Sequence, residues 1–216
     1  MIVTIASCRI SLPETRNLVA RWASYEDRTH AARRKQKAAQ AASLTARALM
    51  RSVLVEVWGQ GDFEVEADHG GKPWLRTADG DRGPSISLSH SGDWVAVATA
   101  EQGALGIDIE SHRPRNFKKL SAYAFGLQEQ KVAAEGADAF YRLWVLREAR
   151  SKATGAGIAE AANGQDQVAG CPELGNWVDP AKGEFWHFAH RRPAIDLSLG
   201  VAIKVPADQA VTMRFL

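Results

Sequence analysis

The stretch SISLSHSGDWVAVATAEQGALGIDIE, residues 85–110, decides how the rest of the chain is read. SISLSH alternates polar and apolar residues, Gly92 and Asp93 supply turn chemistry, and WVAVATA resumes a β-rich run, so 85–100 predicts a hairpin. After the breaker Gly103, LGIDIE alternates strictly. Leu105, Ile107 and Ile109 fall on one face of a strand and Gly106, Asp108 and Glu110 on the other. Two like charges so close together are unfavourable unless a proton or cation neutralises them, and a hard divalent ion with oxygen ligands does this well. The wet face of an edge strand can also carry such a pair, and the spacing leaves both readings open.

Downstream, Pro114 interrupts the chain, and helical patterning resumes over about 117–134 and again over about 138–154, where Gly155 and Gly157 end it. Within FYRLWVLREARSKATG, Trp144, Glu148 and Lys152 recur at i, i+4 and i+8 and project from one helix face. That face aims Glu148 and Lys152 at a cleft, or carries an ordinary surface ion pair. Residues 159–175 read as a loop, and EFWHFAHR, AIDLSLGVAIKV and QAVTMRFL read as strands. Upstream, Met50, Val53, Leu54, Val57 and Trp58 mark an amphipathic helix at about 40–58, terminated by Gly59 and Gly61. The apolar start, MIVTIASC, reads as a first strand.

The 216 residues suffice for one large domain or two small, closely packed lobes, and 45% hydrophobic with 24% charged residues is globular composition. Two cysteines, Cys8 and Cys171, are too few for a disulfide framework and suit a reducing compartment, so a cytoplasmic protein is expected. No run of residues is apolar enough for a membrane span, and no basic region precedes the first apolar segment. Net charge is only +2, yet two stretches lack acidic residues altogether. One, residues 28–51, holds Arg28, Arg33, Arg34, Lys35, Lys37, Arg47 and Arg51. The other, residues 111–128, holds Arg113, Arg115, Lys118 and Lys119. Basic runs on both sides of a carboxylate motif favour a phosphate-bearing substrate.

Four ordered motifs now carry a family resemblance. GIDIE at 106–110 and WVLREARSK at 144–152, preceded by GKP at 71–73 and SHS at 89–91, resemble the signatures of the single-chain, Sfp-type 4′-phosphopantetheinyl transferases. One position departs: Arg147 stands where the pattern has lysine, with the positive charge kept. The resemblance implies an α+β fold of two pseudo-twofold-related lobes, each with helices packed on a small, mostly antiparallel sheet. It divides the chain into an N-terminal lobe, 1–103, on the coenzyme A side, and a C-terminal lobe, 104–216, on the metal and carrier-protein side.

The implied activity is transfer of the 4′-phosphopantetheine arm of coenzyme A to a serine of an apo acyl or peptidyl carrier protein, releasing 3′,5′-ADP. On the same basis Asp108, Glu110 and Glu148 hold Mg2+, while Lys152 contacts phosphate and supports the leaving group. Lys35, Arg47, Lys72, Pro73, Ser89 and His90 approach coenzyme A, and Glu148 or a metal-bound water takes the serine proton. Arg113, Arg115, Lys118 and Lys119, with an apolar contact from Phe125, are expected to dock an acidic carrier, and the protein to be a monomer. The residue pattern leaves two other functions open, a magnesium-dependent nuclease and a carrier-binding module without transfer activity.

Overall fold

A computed structural model describes residues 1–59, 63–157, 162–179 and 182–216. Gly61 and residues 159–161 of the expected loop therefore lie outside the described residues. The elements run β1 (Ile2–Arg9), α1 (Pro13–Trp22), α2 (Tyr25–Ala32), α3 (Lys37–Trp58), β2 (Glu64–Ala67), β3 (Pro73–Arg76), β4 (Ser85–Ser91), β5 (Trp94–Ala100) and β6 (Ala104–Ser111). They continue with α4 (Phe117–Ala124), α5 (Leu127–Ala133), α6 (Ala137–Thr154), β7 (Leu174–Val178), β8 (Phe185–Ala194), β9 (Leu197–Lys204) and β10 (Thr212–Phe215).

The fold is α+β with two lobes. One sheet has the order β10-β1-β5-β4 and the other β6-β9-β8-β7, with β2 and β3 as a separate hairpin. Pairing is antiparallel except between β1 and β10, where the last strand returns to the first sheet. Period-two patterning explains the layering. Val3, Ile5, Ala96 and Ala98 of the first sheet meet Leu105, Ile107, Ile109, Leu199 and Val201 of the second in one shared core. The opposite faces are covered by the two long helices. Ala46, Met50, Val53 and Leu54 of α3 pack on Ala6, Val95 and Val97. Leu146, Ala149 and Ala153 of α6 pack with Trp186, Phe188 and Ala202.

The expected hairpin, the strand of the GIDIE motif and the helix ending at Gly155 are present, and Gly155 takes the left-handed conformation (φ 77°) suited to a helix C-cap. The helix expected over 117–134 is two helices. Gly126 stands so close to Asp166 that a Cβ there would lie 2.2 Å from the Asp166 nitrogen. The Asp166 carboxylate in turn accepts the Gln128 and Glu129 N–H groups at 3.2 and 2.9 Å, capping α5. Periodicity cannot reveal a cap supplied from 37 and 38 residues downstream. Likewise, the strand expected to begin at Ala194 starts at Leu197, because Ala194 ends β8 and the hairpin turns through Ile195 and Asp196. Within the expected loop 159–175, Leu174 and Gly175 already belong to β7.

Elements unread in the sequence had signals. Pro13 sits in the first turn of α1, and Ser24 with Asp27 forms the capping box of α2. Among the described residues no helix is long and apolar enough to cross a membrane.

Two glycines seat α6 on its sheet. A Cβ at Gly106 would lie 1.9 Å from the Ala149 carbonyl oxygen, and one at Gly200 would lie 2.7 Å from the Val145 carbonyl. Gly106→Ala should therefore lift α6 off the sheet and cost about 3 kcal/mol, the upper part of the range for overpacked cores. Urea unfolding of the two proteins checks this through a lower midpoint at an unchanged slope.

Candidate active site

Because α6 rests directly on Gly106 and Gly200, Glu148 and Lys152 come down beside the polar face of β6. Lys152 Nζ donates to Asp108 Oδ1 at 2.6 Å and to Ser89 Oγ at 2.9 Å. Ser89 Oγ also donates to Asp108 Oδ1 at 2.8 Å, and Ser91 Oγ donates to Glu110 Oε2 at 2.8 Å. Asp108 is buried, and its Oδ2 is enclosed with no hydrogen-bond partner among the described residues.

Burial raises the Glu148 carboxyl to about 7, Asp108 and Glu110 push the same way, and Lys152 opposes. Glu110 is raised as well, by burial first; the Ser91 hydroxyl lowers it, Asp108 raises it, and Arg115 and Lys152 lower it.

A cleft of about 530 Å³ opens next to this cluster, lined by Arg33, Arg34, Arg47, Pro73, Ser89 and His90 among others. Ser89 joins the two, facing the cleft while bonding Asp108. Arg47 reaches the cleft from α3, held by Asp27 Oδ1 at 3.2 Å, and Arg51 Nε binds the other Asp27 oxygen at 2.6 Å. Burial of Asp27 works to raise its pKa, but these two guanidinium groups and the Ser24 N–H outweigh it and hold the carboxyl below its ordinary range. His90 is held below the usual imidazole value by desolvation, then by the Lys152 and Arg34 cations, with Asp108 opposing.

The sequence-predicted residues separate into those brought together and those placed elsewhere. Asp108, Glu110, Glu148, Lys152, Ser89, His90, Pro73 and Arg47 converge. Lys35 is exposed and does not line the cleft, whereas its neighbours Arg33 and Arg34 do. Lys72 lines an adjoining hollow of about 250 Å³ with Pro73, Leu88 and Lys152, and its ammonium donates to the Ala153 carbonyl at 2.5 Å, tying the β2–β3 hairpin to the end of α6.

Phe125 requires a correction: it is fully buried against Phe140, Trp144 and Arg147, so it presents no surface to a partner. Arg147 likewise faces away from the carboxylates, paired with buried Glu129 and bonded to the Gln165 and Ala124 carbonyls. Arg113, Arg115, Lys118 and Lys119 are exposed. Within the basic run 33–37, where the sequence leaves the exact contact open, the structure brings Arg33 and Arg34 to the cleft; Ser91 and Asp27 were not among the site residues read from the sequence, and for Ser91 the signal was its alternation with Ser87 and Ser89 on the face of β4 that meets β6.

Comparison with known proteins falls on the same segment. The family model of the 4′-phosphopantetheinyl transferase superfamily matches residues 104–202, which contain both carboxylate motifs. Residues 104–202 are similar to that superfamily. The 4′-phosphopantetheinyl transferase psf-1 of Bacillus pumilus is 32% identical over 127 residues, covering 54% of this chain and 51% of its own. AcpT of Salmonella typhimurium, named likewise, is 40% identical over 76 residues, covering 32% and 40%. HetI of a Nostoc species, another 4′-phosphopantetheinyl transferase, is 32% identical over 129 residues, covering 53% and 52%. The chain spans about half the length of the curated relatives it matches.

A raised Glu148 carboxyl has a stability consequence. Its folded-state pKa exceeds its ordinary value of 4.5, so ionising it in the metal-free protein costs folding energy. Stability linked to this group is full below about pH 4.5 and falls by roughly 1.4 kcal/mol per pH unit as pH rises towards 7. Glu148→Gln should flatten that decline. Denaturant unfolding of both proteins at pH 5, 6 and 7, with chelator present, measures it.

Proposed function

We propose that this chain transfers 4′-phosphopantetheine from coenzyme A to a carrier-protein serine. The observation that carries the proposal is the junction at Ser89 between a carboxylate cluster with an unpartnered buried oxygen and a cleft lined by three arginines. Phosphoryl transfer needs these two parts, cations that hold phosphate and a site that manages charge at the reacting phosphorus.

Among the described residues no group of three or more His, Cys, Asp or Glu side chains is placed so that it could hold a metal ion. The donor set nevertheless fits magnesium: three carboxylates, all oxygen, with Asp108 Oδ2 lacking a partner among the described residues and two carboxyls raised by burial first and by carboxylate neighbours after it. Asp108, Glu110 and Glu148 would hold the ion, which when bound neutralises charge on the coenzyme A pyrophosphate. The N-terminal lobe, residues 1–103, supplies the coenzyme side, with Arg33, Arg34, Arg47 and His90 at the phosphates of the 3′-phosphoadenosine end. The C-terminal lobe, whose sheet ends at β9 because β10 returns to the first sheet, supplies the carboxylates.

In the reaction the serine oxygen forms a bond to the β-phosphorus, the bond from that phosphorus to the bridging oxygen breaks, and 3′,5′-ADP leaves. Lys152 faces the developing negative charge. Glu148 receives the serine proton.

Carrier docking belongs to the exposed basic residues Arg113, Arg115, Lys118 and Lys119. The apolar part of that surface is not Phe125 but Tyr123 and Leu127, 72% and 74% exposed on either side of the break between α4 and α5. An acidic, partly apolar carrier helix matches this surface. The protein acts as a cytoplasmic monomer in this reading.

Incubation with apo carrier, coenzyme A and magnesium should add one phosphopantetheine unit to the carrier, measured as intact mass. Asp108→Ala and Glu148→Ala should abolish the gain while far-UV circular dichroism stays unchanged; a gain retained by both variants refutes the site. A Tyr123→Ser, Leu127→Ser double variant should raise the KM for carrier about tenfold and leave that for coenzyme A unchanged, with added salt weakening carrier binding in the parent protein.

A further inference from the structure

Ser87, Ser89 and Ser91 occupy alternate positions of β4 on the face turned to β6. The two strands are edges of different sheets and share no ladder. Serine side chains bridge them instead: Ile107 N donates to Ser87 Oγ at 3.0 Å, Ile109 N to Ser89 Oγ at 3.4 Å, and Ser111 N to Ser91 Oγ at 3.1 Å. A hydroxyl that accepts in this way still has a proton to give. Ser89 gives its proton to Asp108 and Ser91 gives its own to Glu110. Ser87, among the described residues, donates to no carboxylate.

Ser91 is also fixed on its other side. It ends β4 directly before the turn at Gly92, where φ is 58°, and its carbonyl accepts the Ser111 hydroxyl at 3.2 Å. Its Oγ therefore has little freedom to rotate, since acceptor and donor directions are both committed. The consequence falls on Glu110: with Oε2 held by Ser91, the carboxylate has one orientation.

We propose that Ser91 is a positioning residue for the divalent-cation site, orienting the Glu110 carboxylate from across the lobe junction so that it reaches the ion together with Asp108. The inference rests on the metal reading given above. Side chains that orient a ligand without touching the metal change affinity by about 10- to 100-fold when removed. Ser87 makes an internal control, because Ser87→Ala deletes an equivalent bond between the lobes without touching a carboxylate.

The test is manganese binding, followed by the electron paramagnetic resonance signal of the free ion, with coenzyme A present and carrier absent. Ser91→Ala should weaken binding about tenfold, Ser91→Thr, which keeps the hydroxyl, should stay within about threefold of the parent, and Ser87→Ala should change it by less than about twofold. Thermal unfolding run in parallel identifies any variant whose fold is lost. Equal effects of Ser91→Ala and Ser87→Ala overturn the assignment, since the serine would then be only a stitch between lobes, as does a Ser91→Thr protein no better than Ser91→Ala. If the parent protein itself binds no manganese, the metal reading falls and the inference falls with it; binding by the parent with Ser91→Ala unaffected removes the inference alone.

Discussion

The outer edge of β6 has backbone N–H groups that face no partner strand, and the hydroxyls of β4 answer them. A buried N–H without an acceptor costs about 1 to 3 kcal/mol, so three such groups in a row could not be left open between the lobes. Backbone pairing between β4 and β6 would have met the need by merging the sheets. Side-chain acceptors meet it differently: they hold the strands at side-chain distance and leave each hydroxyl proton for a further bond. The carboxylates of Asp108 and Glu110 take those protons. The same contact that joins the lobes thus places the negative charge at their junction, within reach of a cleft built largely from the N-terminal lobe.

The charge cluster is tolerated because α6 brings a cation with it. Lys152 lies one turn beyond Glu148 and bonds Asp108, which offsets part of the repulsion among the carboxylates, while burial first and the neighbouring carboxylates after it raise the proton affinity of Glu110 and Glu148. That position depends on the two glycines under the helix. Any side chain at residue 106 or 200 would collide with the helix backbone and displace it, and Glu148 and Lys152 with it. Gly106 is therefore part of the site's geometry although it has no chemistry of its own.

Much of this was legible beforehand. Strict alternation in LGIDIE places Asp108 and Glu110 on the face opposite the core, and the i, i+4 spacing puts Glu148 with Lys152. What periodicity lacks is the third dimension. It does not show that α6 crosses β6 at Gly106, that Asp166 caps a helix 37 residues before it, or that Phe125 turns inward against Phe140 while Tyr123 and Leu127 turn out. Lys35 and Arg34 illustrate the same limit at one-residue resolution: both lie in a basic run, and only the turn between α2 and α3 determines which lines the cleft.

The substitution of arginine at position 147 shows how a motif letter can mislead when only its charge is read. Arg147 adjoins Glu148 in sequence, and retained positive charge suggests a retained contact with substrate. Its guanidinium instead points to the far side of α6, where Glu129 and the carbonyls of Gln165 and Ala124 all accept from it. A lysine ammonium at the end of a flexible stem lacks the planar fork that serves such spread acceptors at once. Arg150 makes the corresponding set with Asp179 and the Gln167 carbonyl. Two buried arginines thus bind the segment 165–179 to one side of α6 and fix the helix's rotation about its axis. That rotation is what aims Glu148 and Lys152 at β6, so the arginines act on the site through the helix rather than through their charge.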